Sequence, residues 1–209
     1  MLIIRLAGCL ALVLVSSAIL LAQPAEPVRH NLVDLQTVIP DLVVEMPYAT
    51  PHNFTGETLY PANRAFLVEP AAQALASAAE LLRAQGYRLK ILDAYRPLSV
   101  QRKLWEKNPD RNFVAHPSTG SRHNRGASVD LTLITLAGNE VEMPSLYDEF
   151  GAKAGAFQKG LSPAVEANLK ILQKAMQAAG FKLLNSEWWH FDHPSFKDFP
   201  LLDIPLTGL

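Results

Sequence analysis

The sequence predicts a single α+β domain with an antiparallel sheet flanked by helices. Three observations carry this. The chain has 209 residues, 49% hydrophobic and 19% charged, which suits one globular unit with a sizeable core. Helical and strand-like patterns are interspersed without the regular βαβ alternation of a doubly wound sheet. Two long segments have helical periodicity, with proline near the start and glycine past the end.

Taken in order, residues 1–25 read as a secretory signal peptide. One arginine precedes an uncharged apolar run from Leu6 to Ala22, and small residues and proline follow. Cleavage is expected between Ala18 and Ala25, leaving a domain of residues 26–209. An uncleaved anchor is the alternative, because the run is near the lower limit for a spanning helix. Leu42 to Ala49 alternates as a strand does, and a turn-rich stretch follows. Glu69-Pro70 opens a helix that Gly86 is placed to end. Tyr87 to Tyr95 is a strand, and Leu98 to Lys107 is a short helix stopped before "NPD". Ala127 to Ile134 is the next strand, with Gly138-Asn139 turning a hairpin. Ser162 caps the second long helix, whose Val165, Leu169, Leu172 and Met176 follow the helical spacing. Phe181 to Leu184 and Glu187 to Phe191 are strand-like, and a proline-rich tail ends the chain.

A net charge of −1 offers no electrostatic case for nucleic acid or an anionic membrane surface. Removal of the signal segment would leave no stable membrane attachment, so a periplasmic or secreted location is expected. Cys9, the only cysteine, lies within that segment. The mature chain would then have no thiol, which excludes a cysteine nucleophile, thiolate ligands and a disulfide framework. Any chemistry rests on His, Asp, Glu, Ser or Arg.

Of six histidines, His52, His116 and His193 sit in loops near prolines and His30 near the expected cleavage region; all four read as solvated. His123 and His190 each have a carboxylate at a suggestive spacing. Asp130 lies inside the apolar "SVDLTL", where a buried carboxylate is costly unless paired or bound to metal. His190 lies in "EWWHF" with Glu187 three residues before it. Three residues apart in a regular strand means opposite faces, so a shared site requires a bend or bulge between them. The bland reading of "EWWHF" is a strand with core tryptophans and a solvated Glu187. The functional reading takes His123, Asp130 and His190 as a two-histidine, one-carboxylate zinc set that leaves a fourth position open. Glu187 is then the unligated carboxylate that accepts a proton from water.

"SRHNRGASVDLTL" followed by "EWWHF" resembles the zinc D,D-peptidases of the Hedgehog/DD-peptidase fold. The shared pattern is Ser-x-His, Gly three residues after the His, an alanine-like position, then Asp seven after the His. Here these are Ser121, His123, Gly126, Ser128 and Asp130, with Ser128 replacing the usual alanine. Glu187, Trp189 and His190 match the second motif. "YATPHNFTG", "DAYRP" and "LYDEFG" narrow the resemblance to the VanX-like D-alanyl-D-alanine dipeptidases, over essentially Asn31 to the C-terminus. The resemblance implies one Zn(2+) per chain on His123, Asp130 and His190, with Glu187 as general base. It makes Arg96 the residue that stabilises charge on the scissile carbonyl, although a surface arginine pairing with Asp93 or Glu106 is the plainer reading. Asp148 would face the substrate's ammonium group, and Ser121 would also contact substrate. The implied substrate is a small D,D-dipeptide split during peptidoglycan turnover or dipeptide scavenging. The alternatives are a D,D-carboxypeptidase trimming peptidoglycan stems, and a non-enzymatic wall-binding module with a structural metal. Glu187 and Arg96 argue against the last, since a structural site needs neither.

Overall fold

The computed structural model describes residues 32–209; the expected signal segment lies outside the described residues. Strand β1 (Leu32–Asp34) leads directly into a single helical turn, α1 (Leu35–Val38), capped by the Asp34 side chain. Strand β2 (Val43–Val44) is shorter than the expected Leu42–Ala49. Pro47 has the fixed φ of a helical start and opens a 3₁₀ turn over Pro47–Ala49 instead. The Asn63 side chain takes up both Met46 N and Val44 O, so this backbone is satisfied without a strand partner there. Next come β3 (Phe66–Val68), α2 (Glu69–Arg83), β4 (Tyr87–Asp93) and α3 (Leu98–Lys107). The chain continues through β5 (Ser128–Thr135), α4 (Pro163–Ala178), β6 (Lys182–Leu184) and β7 (Glu187–Asp192).

The main sheet has the order β2-β4-β5-β7-β6. Three of its pairings are antiparallel, as expected; the edge pair β2-β4 is parallel. A small second sheet pairs β1 with β3, neither of which the sequence pattern signals. Strands of three residues carry too few alternating positions to be read. The Gly138-Asn139 turn forms, but the returning chain makes only one bridge, Ile134 to Glu140.

The helices cover the sheet through predictable faces. Val165, Leu169, Leu172 and Met176 of α4 are all buried, as are Leu75 and Leu82 of α2. Each such side chain contributes about 1.5–3 kcal/mol on removal from water. Ser162 accepts from Val165 N and so caps α4 as its sequence position requires. Among the described residues, no helix is long and apolar enough to cross a membrane.

Candidate active site

A cavity of about 320 Å³ lies at the sheet: β5 gives it Asp130 and β7 gives it Glu187 and His190, while Arg96, Ser121, His123 and Asp148 come from loops and turns. Asp130 on β5 and His190 on β7 are cross-strand partners, so their side chains share one face of the sheet. His123 arrives from a 3₁₀ turn (His123–Arg125) just before β5. That turn is tied to the loop after β4: Arg96 N donates to His123 O, and Asn124 Nδ2 donates to Arg96 O. Gly126 ends the turn at φ 66°. A Cβ there would lie 2.5 Å from Leu32 Cδ2 and 3.3 Å from Val68 N, so both the conformation and the space require glycine.

His123 Nε2, His190 Nδ1 and Asp130 Oδ1 form a triangle with edges of 3.1, 3.3 and 2.9 Å. Ligands about 2.0–2.1 Å from a tetrahedral zinc ion stand roughly 3.3 Å apart, so the donor atoms are spaced to hold one ion. The opposite ring nitrogens are both engaged. His123 Nδ1 faces Ala94 O at 2.7 Å, and His190 Nε2 faces Asp192 Oδ1 at 2.9 Å. With those nitrogens donating, each ring turns a lone pair toward the common point, the arrangement that zinc-binding histidines use. Charge agrees with geometry. Burial disfavours a charged imidazole, yet Asp130 and Asp192 outweigh it and hold His190 well above the usual imidazole range. Burial likewise works against ionised Asp130, but His123 and His190 hold it well below the usual carboxylate range. A site that favours positive charge this strongly suits a divalent cation. The donor set, two imidazoles and a carboxylate without thiolate, fits zinc in the open, three-ligand form.

Glu187 is buried, not solvated, and its Oε2 lies 3.8 Å from His190 Nδ1. The bend that this spacing demands is present: the β6-β7 register shifts between Leu183, which pairs Phe191, and Leu184, which pairs Glu187. The extra residues on β7 bring Glu187 round to the face of His190. Burial pushes the Glu187 carboxyl up to about 8; His190 pulls it down, and Asp130 and Asp148 push it further up. Trp188 and Trp189 are buried, as the plainer reading of this strand also held.

Arg96 is buried rather than at the surface, although it does pair with Asp93. Nε and Nη2 donate to Asp93 Oδ2 at 2.8 and 2.6 Å, and Nη1 donates to Gln101 Oε1 at 2.8 Å. Three of the five guanidinium N–H groups are thus taken, leaving one on each terminal nitrogen. Nη2 stands 3.9 Å from Asp130 Oδ2, beside the metal position. Burial works against the guanidinium charge, but Asp93 more than restores it and keeps Arg96 well above its ordinary value.

Asp148 lines the cavity and is half-buried in its wall. It is the one non-glycine among the described residues with positive φ, at 57°, a conformation that aspartate tolerates better than most. Tyr48 Oη donates to its Oδ2 at 2.7 Å. Loss of hydration in the cavity pushes the carboxyl up to about 7; the Tyr48 hydrogen bond pulls it down, and Asp130 pushes it up. Ser121 lines the cavity too, but its hydroxyl accepts from His123 N at 3.2 Å, so it also shapes the ligand turn.

Several supporting residues escaped the sequence reading. Three tyrosines each donate to one acid: Tyr48 to Asp148, Tyr60 to Asp93 at 2.7 Å, and Tyr147 to Asp130 at 3.0 Å. Asp192 holds His190, and Gln101 holds Arg96 while its Nε2 donates to Ala115 O. Asp192 was reachable, since it lies two residues beyond His190 on the same strand face. The tyrosines come from loops distant in sequence and carry no local signal.

A family model described as D-ala-D-ala dipeptidase, Peptidase_M15, matches residues 29–200. A D-alanyl-D-alanine dipeptidase of Escherichia coli (strain K12) is 39% identical over 172 residues, 82% of this chain and 89% of that protein. Dipeptidases of the same description from Enterococcus faecium and Streptomyces coelicolor are each 32% identical, over 74% of this chain and 90% of theirs. Similarity of this extent spans the whole sheet and every residue of the cavity described above, and on it the chain belongs to the M15 peptidases, the D-Ala-D-Ala dipeptidase family.

Proposed function

We propose that this protein hydrolyses D-alanyl-D-alanine to two D-alanines with zinc bound by His123, Asp130 and His190. The observation that carries the reading is the arrangement of three groups around one small cavity. Glu187 and Arg96 flank the ligand triangle, and Asp148 supplies an acid held by Tyr48. A structural metal site would need none of them. Zinc in this position supplies Lewis acidity, polarising a carbonyl and lowering the pKa of water.

The chain's own residues divide the remaining work. Glu187 takes a proton from the attacking water and returns it to the departing amine. Its raised pKa suits both halves of that task, because a carboxyl poised near neutrality can accept and then release a proton. Arg96 presents its two free N–H groups toward charge growing on the scissile carbonyl oxygen. Asp93 and Gln101 fix the guanidinium beforehand, so little reorganisation is required when that charge develops. Asp148 receives the ammonium of a free dipeptide, one residue from the bond cut.

The cavity, about 320 Å³, has room for a dipeptide and opens to solvent, so its size leaves the choice between dipeptide and wall stem to substrate tests. Purified, zinc-loaded protein should therefore be tested on D-Ala-D-Ala, L-Ala-L-Ala, N-acetyl-D-Ala-D-Ala and a D-Ala-D-Ala-terminated tripeptide. Turnover confined to the free D,D-dipeptide supports the proposal. Equal or faster cleavage of the blocked peptides would make it a D,D-carboxypeptidase instead. The apolar run from Leu6 to Ala22 supports export to the periplasm or beyond. A dipeptidase there meets dipeptide released from the wall, which favours scavenging over depletion of the cytosolic pool.

A further inference from the structure

We propose that Ser128 is a positioning residue for the zinc site, acting through Asp192 on His190. The proposal rests on the metal reading of the site and not on the identity of the peptide cleaved. Its ground is cross-strand register. Ser128 pairs with Asp192 and Asp130 pairs with His190, so the two pairs stand side by side on one face of β5 and β7. Ser128 is fully buried, and its Oγ donates to Asp192 Oδ1 at 2.5 Å. The same oxygen faces His190 Nε2 at 2.9 Å. Arg122 Nη1 takes the other oxygen, Oδ2, and its guanidinium also lies 4.6 Å from the Phe196 ring.

Asp192 is therefore held from two sides that compete. Arg122 is the stronger partner by charge, and a carboxylate free to turn would offer it both oxygens, as arginine prefers. That rotation would draw Oδ1 away from His190. The Ser128 hydroxyl opposes it, pinning Oδ1 where His190 Nε2–H needs an acceptor. With Nε2 so engaged, Nδ1 keeps its lone pair aimed at Asp130 and His123. An alanine at this position, the residue usual in the motif that this stretch resembles, would pack equally well but could not donate. Small size alone therefore understates what Ser128 does. Its hydroxyl never touches the metal position, and its effect passes through two hydrogen bonds.

The test uses the zinc-loaded full domain titrated with a competing chelator, for wild type, Ser128→Ala, Asp192→Asn and the double variant. Partners of this kind are worth about 10–100-fold in metal affinity. Ser128→Ala should bind zinc roughly tenfold more weakly, near the low end because Arg122 still restrains Asp192. Asp192→Asn should lose at least as much, and the double variant should be no weaker than Asp192→Asn alone, since both changes break one chain of contacts. Cobalt-substituted Ser128→Ala should show a shifted ligand-field spectrum, and the metal-free proteins should melt within a few degrees of one another. Unchanged zinc affinity in Ser128→Ala would overturn the proposal. So would additive losses in the double variant, or a loss tracking metal-free stability with an unchanged cobalt spectrum. Failure of the wild type itself to bind zinc would instead refute the metal reading.

Discussion

Replacing Asp148 by asparagine tests the dipeptide pocket most directly. Asp148 is half-buried in the cavity wall and takes a 2.7 Å hydrogen bond from Tyr48, so the substitution keeps shape and one contact while removing the charge. A substrate ammonium about 4 Å from the carboxylate gains roughly 4 kcal/mol at an effective dielectric of about 20. Stripping one partner from a fully buried ion pair costs about 3–5 kcal/mol. The cavity opens to solvent and the asparagine could still accept a hydrogen bond, so we expect less, about 2–3 kcal/mol. At ~1.4 kcal/mol per tenfold, kcat/KM for free D-Ala-D-Ala should fall roughly 30- to 150-fold at about pH 8.5. N-acetyl-D-Ala-D-Ala, with no ammonium, should be poor for the wild type and little affected by the change. The pH dependence supplies the sharper arm. With its carboxyl raised to about 7, Asp148 is anionic above that pH and neutral below it. Asparagine mimics the neutral form, so the wild-type advantage should shrink as pH falls through about 7. Asp148 is one of the groups that raise the Glu187 pKa, so the variant also lowers it; the ratio on the acetylated peptide, which has no ammonium, measures that part and is divided out. A ratio constant from about pH 5.5 to about 8.5, or equal loss on the acetylated peptide, would refute the role given to Asp148.

Other expectations can be checked singly. Glu187→Gln should keep about one zinc per chain by metal analysis while turnover falls ~10²–10⁴-fold, the usual worth of a general base; near-normal turnover would mean another group activates the water. His123→Ala, Asp130→Ala and His190→Ala should each lose metal on dialysis, by more than the ~10–100-fold typical of outer partners; full occupancy in His190→Ala would sink the ligand assignment. Gly126→Ala should lower thermal stability by about 1–2 kcal/mol or more, because alanine disfavours φ 66° and its Cβ would meet Leu32 and the Val68 backbone. Secreted protein should begin between about residue 19 and residue 26, as N-terminal sequencing would read; full-length protein in the cytosol would overturn the export reading.

The ligand set was legible because its residues break local rules. A carboxylate at Asp130, inside an apolar strand, makes sense only if something buried neutralises it, and His123 and His190 do so. The strand assignment itself predicted that Glu187 could join them only across a bulge, and the bulge is there. The long helices were legible through Pro163, Ser162 and the spacing of their apolar residues. Less could be read of the supporting groups. The spacing offers Asp93 as a partner for Arg96 and places Asp192 two residues beyond His190, but both lie at strand ends, where an acid looks like a solvated terminus. Their burial follows from register with another strand, which single-segment patterns do not contain. Tyr48, Tyr60 and Tyr147 depend on loop paths that join residues up to a hundred positions apart.

The same register explains why the site is built on the middle of the sheet. Asp93, Asp130 and His190 are successive cross-strand partners on β4, β5 and β7 and stand in one row. Two carboxylates placed directly opposite each other repel, so this row would oppose folding on its own. Arg96 relieves one side by binding Asp93 Oδ2 while standing 3.9 Å from Asp130 Oδ2. Tyr60 and Tyr147 add a neutral donor to each acid. Without a metal, the raised His190 offsets Asp130 by holding a proton on Nδ1, 2.9 Å from Asp130 Oδ1, on the side a metal ion would take. A divalent cation resolves the conflict: it neutralises Asp130 and lets both rings be neutral ligands. Strand pairing thus sets side by side a carboxylate that Arg96 satisfies and one that the metal satisfies. In the proposed mechanism, the charge that would stabilise a developing oxyanion and the charge that would polarise the carbonyl are consequently fixed by neighbouring positions of one sheet.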